Sequence, residues 1–170
     1  MSNLNKKSLL AVVLMSSILS ACSQSDAAAD NTDQEKVTST QFDVYKSPTC
    51  GCCADWITHV EKHGHTTKVF HPADLSAQKE ALGIKQQYRS CHTAVTKEGY
   101  KFEGHVPARL VEQFLKSPPS DAIGLAVPGM PAGSPGMEMG DRFTPYQVLL
   151  LKKDGSSEVY AEIRTQSEQY

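Results

Sequence analysis

Phe42 and Val44 alternate with polar neighbours over Gln41–Lys46, the period of a half-buried strand, and Ser47-Pro48-Thr49 ends it. From about Cys50 the spacing changes. Trp56, Ile57 and Val60 recur at helical intervals on one face, and Gly64 suits the helix's C-terminal end. Thr66–His71 is rich in β-branched and aromatic residues and predicts a second strand. Asp74 can cap a helix running to about Leu82, where Gly83 ends it. His92–Lys97 predicts a third strand, and Glu98-Gly99 turns it into a fourth over Tyr100–Glu103. Pro107 fits the first turn of a last helix with Leu110, Val111, Phe114 and Leu115 as its apolar positions, and Pro118-Pro119 stops it.

The resulting order, β-α-β-α-β-β-α, predicts a thioredoxin-like α/β core. Two pieces follow it. Gly124–Gly140 is crowded with Gly, Pro and Met and reads as a long loop, neither helix nor strand. Gln147–Lys152 and Glu158–Ile163 flank Asp154-Gly155, which predicts a β-hairpin that extends the sheet or packs beside it. The folded domain is expected over residues 41–170.

The first 21 residues have a different character. Lys6 and Lys7 precede an apolar run, Leu9–Leu19, too short to span a bilayer comfortably. Leu19-Ser20-Ala21-Cys22 then places small residues before a cysteine, as in bacterial lipoprotein signals. Cys22 is therefore expected to carry lipid as the first mature residue, with the lipid as the only membrane attachment. The implied location is the cell envelope, facing the periplasm; Ser23 in place of aspartate points to the outer membrane in a Gram-negative host. Residues 22–40, rich in Ala, Ser, Thr, Asp and Gln, read as a flexible tether with a coil reach of roughly 23 Å over 23–40.

Composition supports a packed domain, with 39% hydrophobic and 21% charged residues in 170. The net charge of −2 argues against nucleic acid as a partner, since phosphate binding needs a basic surface. With Cys22 assigned to lipid, four of the five cysteines remain: Cys50, Cys52, Cys53 and Cys91. Cys50 and Cys53 have the spacing of a redox pair at a helix N-terminus, where thiolates are favoured. Cys52 is surplus to such a pair, and three sulfurs in four residues suit a soft metal ion. The loop before the third strand of a thioredoxin-like fold faces the first helix's N-terminus, so Cys91 is expected to join the other three, and in metal-free oxidised protein to form a disulfide with one of them. His92, beside Cys91, and His105, in the loop after the fourth strand, are expected near the thiols. Met130, Met137 and Met139 offer soft thioether donors in the Gly/Pro loop. His59 and His63, spaced i,i+4, read chiefly as a solvated helix face, as do His65 and His71 as ordinary polar positions.

Four motifs, Thr49-Cys50-Gly51-Cys52-Cys53, Arg89-Ser90-Cys91-His92-Thr93-Ala94, Glu103-Gly104-His105-Val106-Pro107 and the Gly124–Glu138 stretch, occur in the order of a bacterial family first described as a domain of unknown function. In them the chain resembles the CopG-like copper-resistance family. The resemblance implies a thioredoxin-like fold and several Cu(I) ions held as a multinuclear thiolate cluster on Cys50, Cys52, Cys53 and Cys91. It further implies copper cycling between Cu(I) and Cu(II), and work alongside other copper-resistance or export proteins. On donor chemistry zinc ranks behind copper, because zinc favours a spaced tetrahedron. A copper oxidoreductase and a passive copper carrier are both compatible with the sequence. The competing expectation is a thiol–disulfide oxidoreductase using Cys50 and Cys53.

Overall fold

The computed structural model describes residues 39–170. The signal segment, Cys22 and all but the last two residues of the expected tether lie outside the described residues. Seven strands form one sheet in the order β2-β1-β3-β4-β5-β6-β7. They are β1 (Gln41–Lys46), β2 (Thr66–Phe70), β3 (His92–Thr96), β4 (Lys101–Glu103), β5 (Ala122–Ala126), β6 (Tyr146–Lys152) and β7 (Ser157–Ile163). Three α-helices, α1 (Gly51–Lys62), α2 (Leu75–Ala81) and α3 (Ala108–Lys116), are interleaved with them. β1 pairs parallel with β2 and antiparallel with β3, and β3 pairs antiparallel with β4. That pairing and the β-α-β-α-β-β-α order make the core thioredoxin-like.

Strand alternation divides the core. Phe42, Val44, Leu125, Val148 and Leu150 join Trp56 and Val60 of α1 and Leu110, Val111 and Phe114 of α3 in the main cluster. Ala126 and Leu151 alternate with them along β5 and β6, so they face the other way and meet Ile84 just after α2. The sheet thus carries α1 and α3 on one face and the end of α2 on the other. Ile57 and Leu115, expected on the apolar helix faces, are partly buried at the edge of the main cluster. Asp74 caps α2, its carboxylate accepting the Ala77 N–H at 2.9 Å.

Two boundaries differ from the sequence expectation. Gly124–Ala126, assigned to the long loop, belongs to β5, which pairs parallel with β4 and antiparallel with β6. β5 is short, carries a register shift between Ala122 and Gly124, and has a glycine where a periodic apolar residue would stand. It is the strand that joins the 147–163 hairpin to the core sheet. Thr40, assigned to the tether, already belongs to the fold: its carbonyl accepts the Thr66 N–H at 3.0 Å.

Candidate metal centre

β1 delivers the chain to a turn in which Cys50 N–H donates to the Ser47 carbonyl. Cys50 has extended backbone angles at the N-cap of α1, so Cys52 and Cys53 lie in the helix's first turn. No acidic residue occupies that turn, which leaves the helix N-terminus free to favour thiolate. Cys53 is fully buried and Cys50 partly exposed. Cys91 arrives from the segment before β3. The four sulfurs, from segments 38 residues apart, lie within 4.8 Å of one another.

The disulfide differs from the expected one. Cys50 and Cys53 are joined, whereas Cys52 and Cys91 are free. One turn of helix brings positions i and i+3 to the same side, so the local pair closes and Cys91 stays unpaired. The Cys52 sulfur sits 3.5 Å from that of Cys50.

Cys91 also belongs to a second group, with His92 and His105, whose ligand atoms lie within the same 4.8 Å. Its Sγ is 3.0 Å from His105 Nε2 and 3.3 Å from His92 Nδ1. His105 Nδ1 lies 2.7 Å from the Pro135 carbonyl. A carbonyl only accepts, so Nδ1 carries the proton and Nε2 presents its lone pair toward Cys91. A backbone carbonyl fixing the tautomer in this way is the usual outer support of a metal-binding imidazole. His92 is fully buried, tilted against Trp56, with its Nε2 unpartnered. Burial lowers the pKa of both imidazoles, that of His92 furthest, so both are neutral at pH 7 and able to ligate. Burial, then the neighbouring Cys52, pushes the Cys91 thiol up to about 12. A metal ion at Cys91 therefore displaces a proton as it binds.

The segment after β5 packs onto this centre at two places. Ser90 Oγ donates to the Gly129 carbonyl beside Cys91. Farther on, Gly136 lies against the first turns of α1: a Cβ there would stand 2.5 Å from the Trp56 nitrogen and 2.8 Å from the Cys52 carbonyl oxygen. Between and beyond these contacts Met130 is 57% exposed, Met137 half-buried and Met139 65% exposed.

The other histidines serve the scaffold. His59 Nε2 accepts the Ala108 N–H at the start of α3, and His63 Nδ1 meets Glu112 at 2.9 Å. His65 Nδ1 accepts the Thr40 N–H, and His71 Nδ1 donates to the Lys46 carbonyl. Sequence reasoning missed Lys79 and Glu103, both buried, which form an ion pair next to the Cys91 segment. Lys79 sits on a helix that reads as polar, and Glu103, though it opens one of the four motifs, ends a short strand with nothing that marks it as buried or paired.

Fold and site together define a thioredoxin-like domain with a four-cysteine centre flanked by imidazoles. The family described as "Protein of unknown function, DUF411" matches residues 88–137. Two solved structures of copper resistance protein CopG, form 1 and form 2, are 45% and 44% identical to this chain, with TM-scores of 0.69 and 0.70. Each alignment covers 74% of this chain, and 98% and 99% of the respective CopG chains. Among curated proteins none matches. The chain belongs to the CopG-like copper-resistance family.

Proposed function

We propose that this protein binds copper in the cell envelope, holding Cu(I) as a multinuclear thiolate cluster on Cys50, Cys52, Cys53 and Cys91. The observation that carries the reading is the convergence of all four sulfurs within 4.8 Å. Cu(I) accepts two or three sulfurs and bridges readily, and thiolates select it over harder ions. His92 and His105 add nitrogen donors on the Cys91 side, and Met130 and Met137 add soft donors along the covering loop. Kinship with CopG supports copper as the metal and resistance or homeostasis as the setting. The Cys50–Cys53 disulfide must open before all four sulfurs can ligate. Its closure releases two electrons, the number that reduces two Cu(II) to Cu(I), so the centre has the chemistry to cycle copper as well as to buffer it. The test is anaerobic titration of fully reduced protein with Cu(I) against a competing Cu(I) chelator, with Zn(II) in parallel. Binding of more than one Cu(I) per chain, with Zn(II) held far more weakly, supports the reading; absence of competitive Cu(I) binding refutes it.

The disulfide also supports a second reading, thiol–disulfide exchange, with a partly exposed Cys50 attacking and a buried Cys53 resolving. Disulfide reduction of a model substrate at a rate unchanged in Cys52→Ser, without competitive Cu(I) binding, would favour it.

A further inference from the structure

Lys79 and Glu103 form a charge pair in the interior: Glu103 is fully buried and Lys79 is 3% exposed. Lys79 Nζ donates to Glu103 Oε1 at 2.5 Å and to Thr93 Oγ1 at 3.0 Å. Thr93 in turn donates to Glu103 Oε2 at 2.5 Å. The remaining donor is the backbone: Ser90 N–H reaches Glu103 Oε1 at 2.6 Å. Every member of this network has a partner.

Burying two charges is costly, and two aliphatic side chains of similar size would fill the space at least as well. Aliphatic side chains cannot accept the Ser90 N–H. That bond falls outside any helix or strand, since Ser90 and Cys91 lie between a 3-10 turn (Gln86–Tyr88) and the start of β3. The hydrogen-bonded residues are also placed systematically. Ser90 precedes Cys91, Thr93 follows His92, and Glu103 stands two residues before His105. Gly104, between Glu103 and His105, has φ +71°, and a Cβ there would lie 2.6 Å from Ser90 Oγ and 2.5 Å from the Val127 carbonyl oxygen. The β4 end and the Cys91 segment therefore touch directly.

We infer that Glu103 is a positioning residue of the metal centre: its buried carboxylate fixes the two segments that bear Cys91 with His92 and His105, and Lys79 is present to neutralise it. This inference rests on the copper reading for its consequence in affinity, but not for its geometry.

Two charge-free double variants separate positioning from charge. Lys79→Met with Glu103→Gln keeps an amide oxygen for the Ser90 N–H; Lys79→Met with Glu103→Leu removes the acceptor. With near-UV circular dichroism confirming the fold, the glutamine variant should bind Cu(I) within about threefold of wild type. The leucine variant should lose about tenfold or more, the loss expected when a buried donor is left unpaired. Equal Cu(I) affinity in the two variants, whether high or low, would overturn the inference. If the leucine variant does not fold, Ser90→Pro removes that N–H and the hydroxyl and sets a ring carbon against the Glu103 carboxylate, with Ser90→Ala as the hydroxyl control. Arg89 already has φ −70° and ψ 145°, angles suited to the residue before proline. Ser90→Pro with the Cu(I) affinity of Ser90→Ala would equally overturn the inference. The alkylation rate of Cys91 in reduced, metal-free protein is read alongside. It should rise several-fold in the leucine variant and not in the glutamine variant. If wild type binds no Cu(I), the copper reading fails and this rate alone decides the positioning role: equal rates in the two variants reject it.

Discussion

At the scale of single residues, Cys52 distinguishes a metal centre from a redox pair. Cys50 and Cys53 close their disulfide without it, yet its sulfur stands 3.5 Å from that of Cys50. Replacing the sulfur with a hard, neutral hydroxyl should weaken Cu(I) binding by about tenfold or more, roughly 1.4 kcal/mol. The Cys50–Cys53 disulfide should still form in oxidised Cys52→Ser. Chelator competition on reduced protein and thiol counting on oxidised protein check the two halves; unchanged Cu(I) affinity would assign the turn to redox exchange. The thiol set was legible in the sequence because three cysteines crowd one helix start, a pattern few other functions produce. The disulfide partner was not, because four thiols within reach of one another allow several pairings and local helix geometry decides among them. The pairing of Glu103 with Lys79 was invisible for another reason: burial of a charge is a tertiary fact that leaves no periodicity in the chain.

At the scale of elements, α3 begins at an imidazole. Pro107 and Ala108 open the helix, and the Ala108 N–H, one of the donors a helix start leaves without an internal partner, goes to His59 Nε2 at 3.1 Å. Accepting that bond requires His59 to be neutral. Burial lowers its pKa from 6.5 to about 4, with His63 adding to the shift. As pH falls below 6.5 the unfolded chain takes up this proton first, so His59's contribution is complete above about pH 6.5 and is lost progressively toward pH 4. The slope is at most about 1.4 kcal/mol per pH unit. Urea denaturation at pH 7 and pH 5 should show a larger loss of stability for wild type than for His59→Gln, whose amide oxygen accepts without titrating. Equal losses would remove His59 from the cap. At α2 the Asp74 cap was legible from sequence, and Asp74→Ala should cost about 1 kcal/mol in the same assay while leaving Cu(I) affinity unchanged. β5 was not legible. Its five residues include Gly124 and its pairing is set by β4 and β6 on either side, so the local sequence carries little of the information that makes it a strand.

At the scale of the whole molecule, the fold carries two segments of the chain to one point. The thioredoxin-like pairing of β1 with β3 sets Lys46 opposite His92, so the chain leaves β1 toward Cys50 beside the place where Cys91 enters β3. This was legible from the order of elements, because the topology, rather than any local pattern, brings Cys91 to the α1 N-terminus. The segment after β5 then closes over the centre, with Gly136 against α1 and Gly129 against Ser90. Upstream, the proposed lipid on Cys22 would hold this domain near a membrane. Labelled fatty acid should enter the wild-type protein and be absent from Cys22→Ala, and an unlabelled wild type would remove the anchor from the account.

The central claim is that Cys50, Cys52, Cys53 and Cys91 bind copper as one unit. Reduced protein, with and without Cu(I), is treated with an alkylating reagent under native conditions, and the modified cysteines are mapped by mass spectrometry. The account predicts that Cu(I) protects all four thiols together, with protection rising in parallel as copper is added. Free alkylation of Cys91 in copper-loaded, folded protein, with the other three protected, would contradict it and leave a three-sulfur site on α1 alone.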